Sequence, residues 1–146
     1  MSSATGSRWT TALLLVAAGG SVGGPARYGL ELLLGTEPGR VPWGTLAANV
    51  VGAGLLGVLV SAARRDARMS RPPAAGGPAP LVLLLGTGFL GAFTTFSTYV
   101  LQVLSLVGQY SPFLALGYLL GSVAAGVAAG WVGLRLGTEL ASRSSR

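Results

Sequence analysis

LVLLLGTGFLGAFTTFSTYVLQVLSLVGQYSPFLALGYLLGSVAAGVAAGWVGL, residues 81–134, decides the fold, because it contains no Asp, Glu, Lys, Arg or His. A helix that crosses a bilayer needs roughly 20 apolar residues, so this run holds two spans. Gly108-Gln109-Tyr110-Ser111-Pro112 has the composition of the turn between them. The uncharged stretch in fact begins at Pro72 and ends before Arg135. Working outward, residues 41–63 form a second uncharged run, long enough for one more span, with Trp43 at an interfacial position. Trp9 to Ala26 begins a fourth, which continues past Arg27 towards Leu34 with a kink expected at Gly24-Pro25. The sequence therefore predicts a single all-α membrane domain over 1–146 with four transmembrane helices, at about 10–34, 43–63, 81–107 and 113–136. The loop over 35–42 carries Glu37, Pro38, Gly39 and Arg40. Arg64-Arg65-Asp66-Ala67-Arg68 opens a charged, Pro/Gly-rich loop that reaches Pro80, and the tail from Ser142 to Arg146 is short and basic.

Composition agrees with this reading. Charged residues make up 10% of the chain, where a soluble domain carries about a quarter. Arg8 followed by Ala12–Ala18 has the outline of a secretory signal, but three further spans follow it. There is no Cys and no His, which excludes disulfides, thiolate chemistry and the usual transition-metal ligands. The net charge of +6 comes from arginine alone. With no basic face on a soluble domain, this surplus does not point to nucleic acid; it suits arginine-rich loops beside anionic headgroups. An enzyme is not indicated, since no nucleophile–base pair or metal set is present.

Small residues recur at four-residue spacing: Gly19/Gly23 and Gly20/Gly24, then Ala48/Gly52 and Ala53/Gly57, then Ser122, Gly126 and Gly130. Such stripes let helix backbones approach closely where lipid removes the hydrophobic incentive. Spacing alone leaves open whether they pack within a subunit or between subunits.

The third helix carries the chemistry. In Thr94-Thr95-Phe96-Ser97-Thr98, four of five residues bear hydroxyls, near the middle of an apolar span. One reading is that each hydroxyl bonds back to a carbonyl of its own helix. The other is that Gly88 and Gly91 favour a local break, which exposes unpaired carbonyls and amides, a site for an ion at mid-membrane. Phe96 and Tyr99, three apart, share a helix face. Their positive ring edges suit an anion, and ordinary packing explains the pair equally well.

The stretch Gly88–Tyr99 resembles the third-helix signature of the Fluc/CrcB family of fluoride ion channels, Gly-Phe-x-Gly-x-x-Thr-Thr-Phe-Ser-Thr-Phe. Gly19-Gly20-Ser21-Val22-Gly23-Gly24-Pro25-Ala26-Arg27-Tyr28 resembles that family's first helix, and Gly44-Thr45-Leu46-Ala47-Ala48-Asn49-Val50-Val51-Gly52 its second. Tyr118 and Ser122 lie in a fourth helix of similar character. The resemblance covers residues 10–136 and implies a passive fluoride channel that lowers cytoplasmic fluoride and its toxicity, built as an antiparallel (inverted) dimer with a broken third helix. It implies a structural, untransported Na⁺ at the dimer interface, held by the carbonyls of Gly91 and Thr94. It implies a fluoride pathway along Asn49, Phe96, Tyr99, Thr45, Thr95, Ser97, Thr98, Tyr118 and Ser122, with Arg27 in the vestibule. Main-chain ligands suit a site with no acidic side chain, and the Asn49 amide and nearby hydroxyls can replace part of the fluoride hydration shell.

Two features depart from the family. Tyr99 stands where the family carries Phe. Charge is also lopsided: with four spans, Arg8, Arg64, Arg65, Arg68, Arg71, Arg135, Arg143 and Arg146 share one side, and Arg27 and Arg40 the other. The positive-inside rule then places both termini in the cytoplasm of a bacterial cell membrane, and a fixed orientation calls for an oppositely oriented paralogue as dimer partner. The alternative is a small multidrug-resistance-type exporter that exchanges protons for cations. It needs a membrane-embedded carboxylate, for which Glu31 is the candidate. A membrane scaffold without transport is a further alternative.

Overall fold

The computed structural model describes the backbone of residues 3–35, 37–69 and 80–143, and the side chains among these except at 3–5, 65–69 and 141–143. The connection through Pro72-Pro73 and Gly76-Gly77-Pro78, Arg71, and the last three residues lie outside the described residues, as do the side chains of Arg65, Arg68 and Arg143.

The described chain is helical, with no strand. Helix α1 spans Ser3–Leu34 and α2 spans Trp43–Met69. Helix α3 covers residues 82–93, wound as a π-helix over Val82–Leu90 and closed by the α-helical turn Gly91–Phe93. Helix α4 is Ser97–Gln109 and α5 is Pro112–Arg143. Three stretches are long and apolar enough to cross a membrane: Trp43–Arg64, Val82–Gln109 and Pro112–Leu140. α1 is long enough, at 32 residues, but Gly19, Gly20, Ser21, Gly23, Gly24 and Pro25 dilute the apolar run that precedes them. Pro25 is held inside α1 without ending it.

Two helices run further than the sequence suggests. α2 stays helical through Arg64-Arg65-Asp66-Ala67-Arg68, where a loop is expected, and α5 continues past Leu136 to Arg143. Alanine and arginine are strong helix formers, so charge marks where the apolar span ends and not where the helix ends.

The packing order explains the third span. α1 lies mainly against α3, α4 lies against α5, and α2 touches all four, most extensively α5. Among the described residues α1 makes no close approach to α4 or α5. The chain must therefore cross from the α1 side to the α5 side between α3 and α4, over α2. It does so at residues 94–96, where helical geometry lapses and Thr94 is extended, with φ −85° and ψ 154°.

Backbone-to-backbone contact holds both pairs. A Cβ at Gly88 would lie 2.7 Å from the Val16 carbonyl oxygen, and one at Gly19 would overlap the Leu84 carbonyl. A Cβ at Gly57 would overlap the Gly130 carbonyl and one at Gly133 that of Gly54. Beside this contact the Ser61 hydroxyl donates to the Leu134 carbonyl at 2.8 Å. These stripes pack within the chain. Gly24 and Gly126 have open space around them, so the expected stripes are not all used alike. At one end of the bundle Gly39, at φ +77°, brings the α1–α2 loop against the Tyr110 ring beside the α4–α5 turn.

Candidate functional site

The crossing at residues 94–96 is held from α2. Ala48 is fully buried, and Gly52 leaves room for the Thr94 methyl, which a Cβ there would overlap. Between them Asn49 clamps the backbone of Thr95 from both sides. Its Nδ2 donates to the Thr95 carbonyl at 2.9 Å, and its Oδ1 accepts the Thr95 N–H at 2.8 Å. A carboxamide has two N–H donors, so one remains after this clamp.

The clamp has a consequence for the carbonyls of α3. In a continuous α-helix the Thr95 N–H reaches the Gly91 carbonyl; here it donates to Asn49 instead. The Thr98 N–H, which in the same register reaches the Thr94 carbonyl, donates to the Thr95 hydroxyl at 3.3 Å. Gly91 and Thr94 thus both lose their helical donors, each to a named side chain. The Thr94 hydroxyl bonds back to the Leu90 carbonyl at 2.9 Å. The Thr95 hydroxyl donates to Thr98 Oγ1 at 3.1 Å and lies 3.4 Å from Ser97 Oγ. The hydroxyl row therefore starts α4 as well as ending α3.

Asn49, Gly91, Thr94, Thr95 and Phe96 line one cleft of about 390 Å³, with Gly52, Leu56, Gly86 and Leu90. Its wall is largely apolar, and it opens on the outside of the single chain. Phe96 is 77% exposed, whereas Tyr99, one turn on, is only 6% exposed. The two rings remain neighbours, with centroids 6.0 Å apart and planes at 41°. Tyr99 in turn meets Tyr118 at 5.3 Å and 54°.

A second group is buried between α2, α4 and α5. The Tyr118 hydroxyl donates to Gln102 Oε1 at 2.9 Å, and Gln102 Nε2 donates to Thr45 Oγ1 at 2.9 Å. The Tyr99 hydroxyl donates to the Leu119 carbonyl at 2.8 Å. Ser122 Oγ, one turn beyond Tyr118, is buried with no hydrogen-bond partner. Gln102 escapes the sequence reading, although it is the one amide in the interior of α4 and stands one turn from Tyr99 on the same face. The Leu119 carbonyl has no signal in a side-chain pattern.

Arg27 stands apart from both groups. It pairs with Glu31 one turn on, Nη1 to Oε1 at 2.8 Å, with both side chains partly buried, while its Nε is buried without a partner. The Glu31 backbone packs on Gly44 at the start of α2, so this pair lies at the same end of α2 as Thr45. Among the described residues no cluster of acidic side chains is placed to hold a metal ion; oxygen donors here are main-chain carbonyls and hydroxyls.

The model of the family described as CrcB-like protein, Camphor Resistance (CrcB), matches residues 14–134. A protein of Phenylobacterium zucineum named fluoride-specific ion channel FluC is 44% identical over 128 residues, covering 86% of this chain and 94% of its own. Streptomyces avermitilis has two similar proteins. FluC 1 is 42% identical over 123 residues, covering 83% of this chain and 91% of its own. FluC 2 is 41% identical over 108 residues, covering 72% and 61%.

Proposed function

The chain belongs to the CrcB-like, camphor-resistance family, and from that membership we propose that it is a fluoride-specific channel of the kind its relatives are named for. The observation that carries the reading is the crossing at residues 94–96, where an amide, freed carbonyls and hydroxyls gather inside apolar helices. Unsatisfied main-chain groups in a bilayer cost several kcal/mol each by rough estimate. A fold that frees two carbonyls there has a use for them.

Fluoride is small and strongly hydrated, so a path across the membrane has to offer donors in place of water. The remaining Asn49 N–H and the hydroxyls of Thr45, Ser97, Thr98 and Ser122 are such donors, while those of Thr95 and Tyr118, which already donate to Thr98 and Gln102, offer theirs on turning away from these partners. The ring edges of Phe96 and Tyr99 carry positive electrostatic potential without acting as a cation trap. Arg27 suits the vestibule, with Glu31 moderating its charge.

The carbonyls of Gly91 and Thr94 fit a structural Na⁺. They are hard oxygens, both released from helical bonding, on the open side of the chain. A cation there offsets part of the cost of an anion in low dielectric. The exposure of Phe96 and the open cleft also support completion of the pore by a second, antiparallel subunit, with α1 as the fourth span. The eight-to-two division of arginines supports both termini in the cytoplasm and a partner that is an oppositely oriented paralogue; Streptomyces avermitilis has two such related proteins. Reporters fused to the C-terminus are expected to label one side of the cell membrane only. Equal labelling of both sides contradicts the fixed orientation.

Transport is passive in this reading. The proton-coupled exporter needs a free embedded carboxylate, and Glu31 is engaged by Arg27. Glu31→Gln is therefore expected to keep fluoride efflux from liposomes within about threefold of the parent, because one partly exposed ion pair is worth little. Efflux unaffected by a proton gradient supports the channel; loss of all transport in this variant, with a response to the gradient in the parent, supports the exporter instead.

A further inference from the structure

One end of the bundle carries a cation on a face that no helix of the chain covers. There α2 and α5 run parallel and in close register. Gly54 meets Gly133, Gly57 meets the Gly130 carbonyl and Leu134, and a Cβ at Gly137 would lie 2.6 Å from the Ser61 Cβ. Arg64, three residues past Ser61, therefore comes level with Leu140, three past Gly137. At the same two residues the apolar stretches Trp43–Arg64 and Pro112–Leu140 end. Arg135 stands five residues short of that level, about 7.5 Å deeper along α5.

Its side chain turns towards the bilayer and not towards water. The Arg135 guanidinium lies 4.7 Å from the centre of the Trp131 ring, one turn nearer the middle of the span. Arginines near the end of a span lift their charge to the interface; this one is held against an indole, the ring that marks headgroup depth. Trp131 is 57% exposed, and Arg135 is exposed as well. Both lie off the Gly130–Gly133–Gly137 seam that meets α2. α4 packs on α5 around Tyr118, nearer the other end, and among the described residues α1 and α3 do not touch α5.

Contact with a ring engages the cation without consuming the five N–H donors of a guanidinium. On this end of the two helices the acids are Asp66 and Glu139, against Arg64, Arg65, Arg68, Arg135 and Arg143. In the orientation proposed above, this end meets the cytoplasmic leaflet, whose anionic lipids attract such clusters. We propose that Trp131 and Arg135 hold the headgroup of an anionic phospholipid. The guanidinium takes the phosphate oxygens as a fork, and the indole packs on the apolar part of the lipid just beneath. Arg64, at the end of the neighbouring span, adds to the preference for a negative headgroup. The inference rests on the membrane location and orientation of the chain and not on the channel reading, since the site lies far along α5 from the crossing at 94–96.

The test uses Trp131 as its own reporter. Trp9→Phe and Trp43→Phe, both at exposed positions, leave it as the one tryptophan of the full chain. The protein is reconstituted into vesicles of phosphatidylcholine and phosphatidylglycerol, with one or the other brominated, and quenching of Trp131 gives the relative affinity of the two lipids there. Phosphatidylglycerol is expected to be preferred roughly fivefold, the scale of one interfacial arginine. Arg135→Gln should bring the two lipids to about parity, and Arg135→Lys, which keeps the charge, should retain part of the preference. A chain that keeps Trp43 alone, at the opposite end of α2, should also give about parity. Equal quenching by the two lipids at Trp131, a preference that survives Arg135→Gln, or the same preference at Trp43 overturns the proposal. So does loss of the preference in excess inorganic phosphate, which makes the occupant a soluble anion and not a lipid.

Discussion

Replacing Asn49 by alanine is expected to abolish fluoride flux and loosen the fold at the same site. The carboxamide both donates to and accepts from the backbone of Thr95, and no neighbouring side chain is bonded to take over either role. Losing it strands a Thr95 N–H and a C=O away from water, at about 2 kcal/mol for such unsatisfied groups. The acceptor that helical register offers the Thr95 N–H is the Gly91 carbonyl, so α3 is expected to extend by a residue and withdraw the oxygen proposed for the cation. A shift of about 1 Å in a positioned group is enough for a loss of roughly a hundredfold, and flux in Asn49→Ala should fall by that order. Asn49→Asp separates the two roles. It restores an acceptor for the Thr95 N–H, but its carboxylate opposes an anion, so flux should stay at background while stability partly recovers. Efflux within threefold of the parent in Asn49→Ala, on the scale of a single weak contact, contradicts the assigned role of the clamp.

Gly88→Ala is the second change with a large expected effect. The new methyl meets backbone on the facing helix, 2.7 Å from the Val16 carbonyl oxygen and 3.0 Å from the Gly19 Cα. Backbone atoms cannot rotate away as a side chain does, so α1 must separate from α3. Overpacking costs typically about 1–3 kcal/mol and more where nothing can yield, and this site lies at the upper end. The measurement is the yield of monodisperse protein in detergent and its thermal midpoint, both of which should drop steeply. Gly126→Ala is the matched control. Open space surrounds Gly126, and alanine favours a helix over glycine by about 1 kcal/mol, so the single chain should tolerate it. Equal behaviour of the two variants contradicts the packing of α1 on α3.

Much of this was legible in the residues, for physical reasons that can be named. The uncharged runs mark spans because charge is costly in a bilayer, and that constraint acts directly on sequence. The hydroxyl row after Gly91 and the Asn49–Gly52 pair were visible as types suited to an ion site, and the structure brings Asn49, Gly91, Thr94, Thr95 and Phe96 into one cleft. What the sequence hid was direction. Asn49 reads as a donor to an ion, whereas one N–H and its oxygen serve Thr95. Phe96 and Tyr99 share a face by spacing, yet one ring is exposed and the other buried, because Tyr99 packs on Tyr118 of α5 and its hydroxyl reaches the Leu119 carbonyl.

Other features lay beyond pattern altogether. Gly57 and Gly126 belong to similar stripes, but only the first faces a neighbouring backbone, and spacing within one helix carries no information about the next. The helical extension to Met69 was masked because solvated arginines stop a membrane span without stopping a helix. The bond from the Tyr99 hydroxyl to the Leu119 carbonyl ends on a main-chain atom, which every residue possesses and no sequence pattern marks.

The most direct test of the central claim is the reversal potential of currents through the purified protein, with its partner if one co-purifies, in a planar bilayer under a fluoride gradient. A fluoride-specific passive channel predicts a shift of about 59 mV for each tenfold change in the fluoride ratio, in the sign set by an anion. Chloride and proton gradients should then have no effect. A potential that follows the proton gradient, or the absence of any fluoride current with and without the partner, contradicts it.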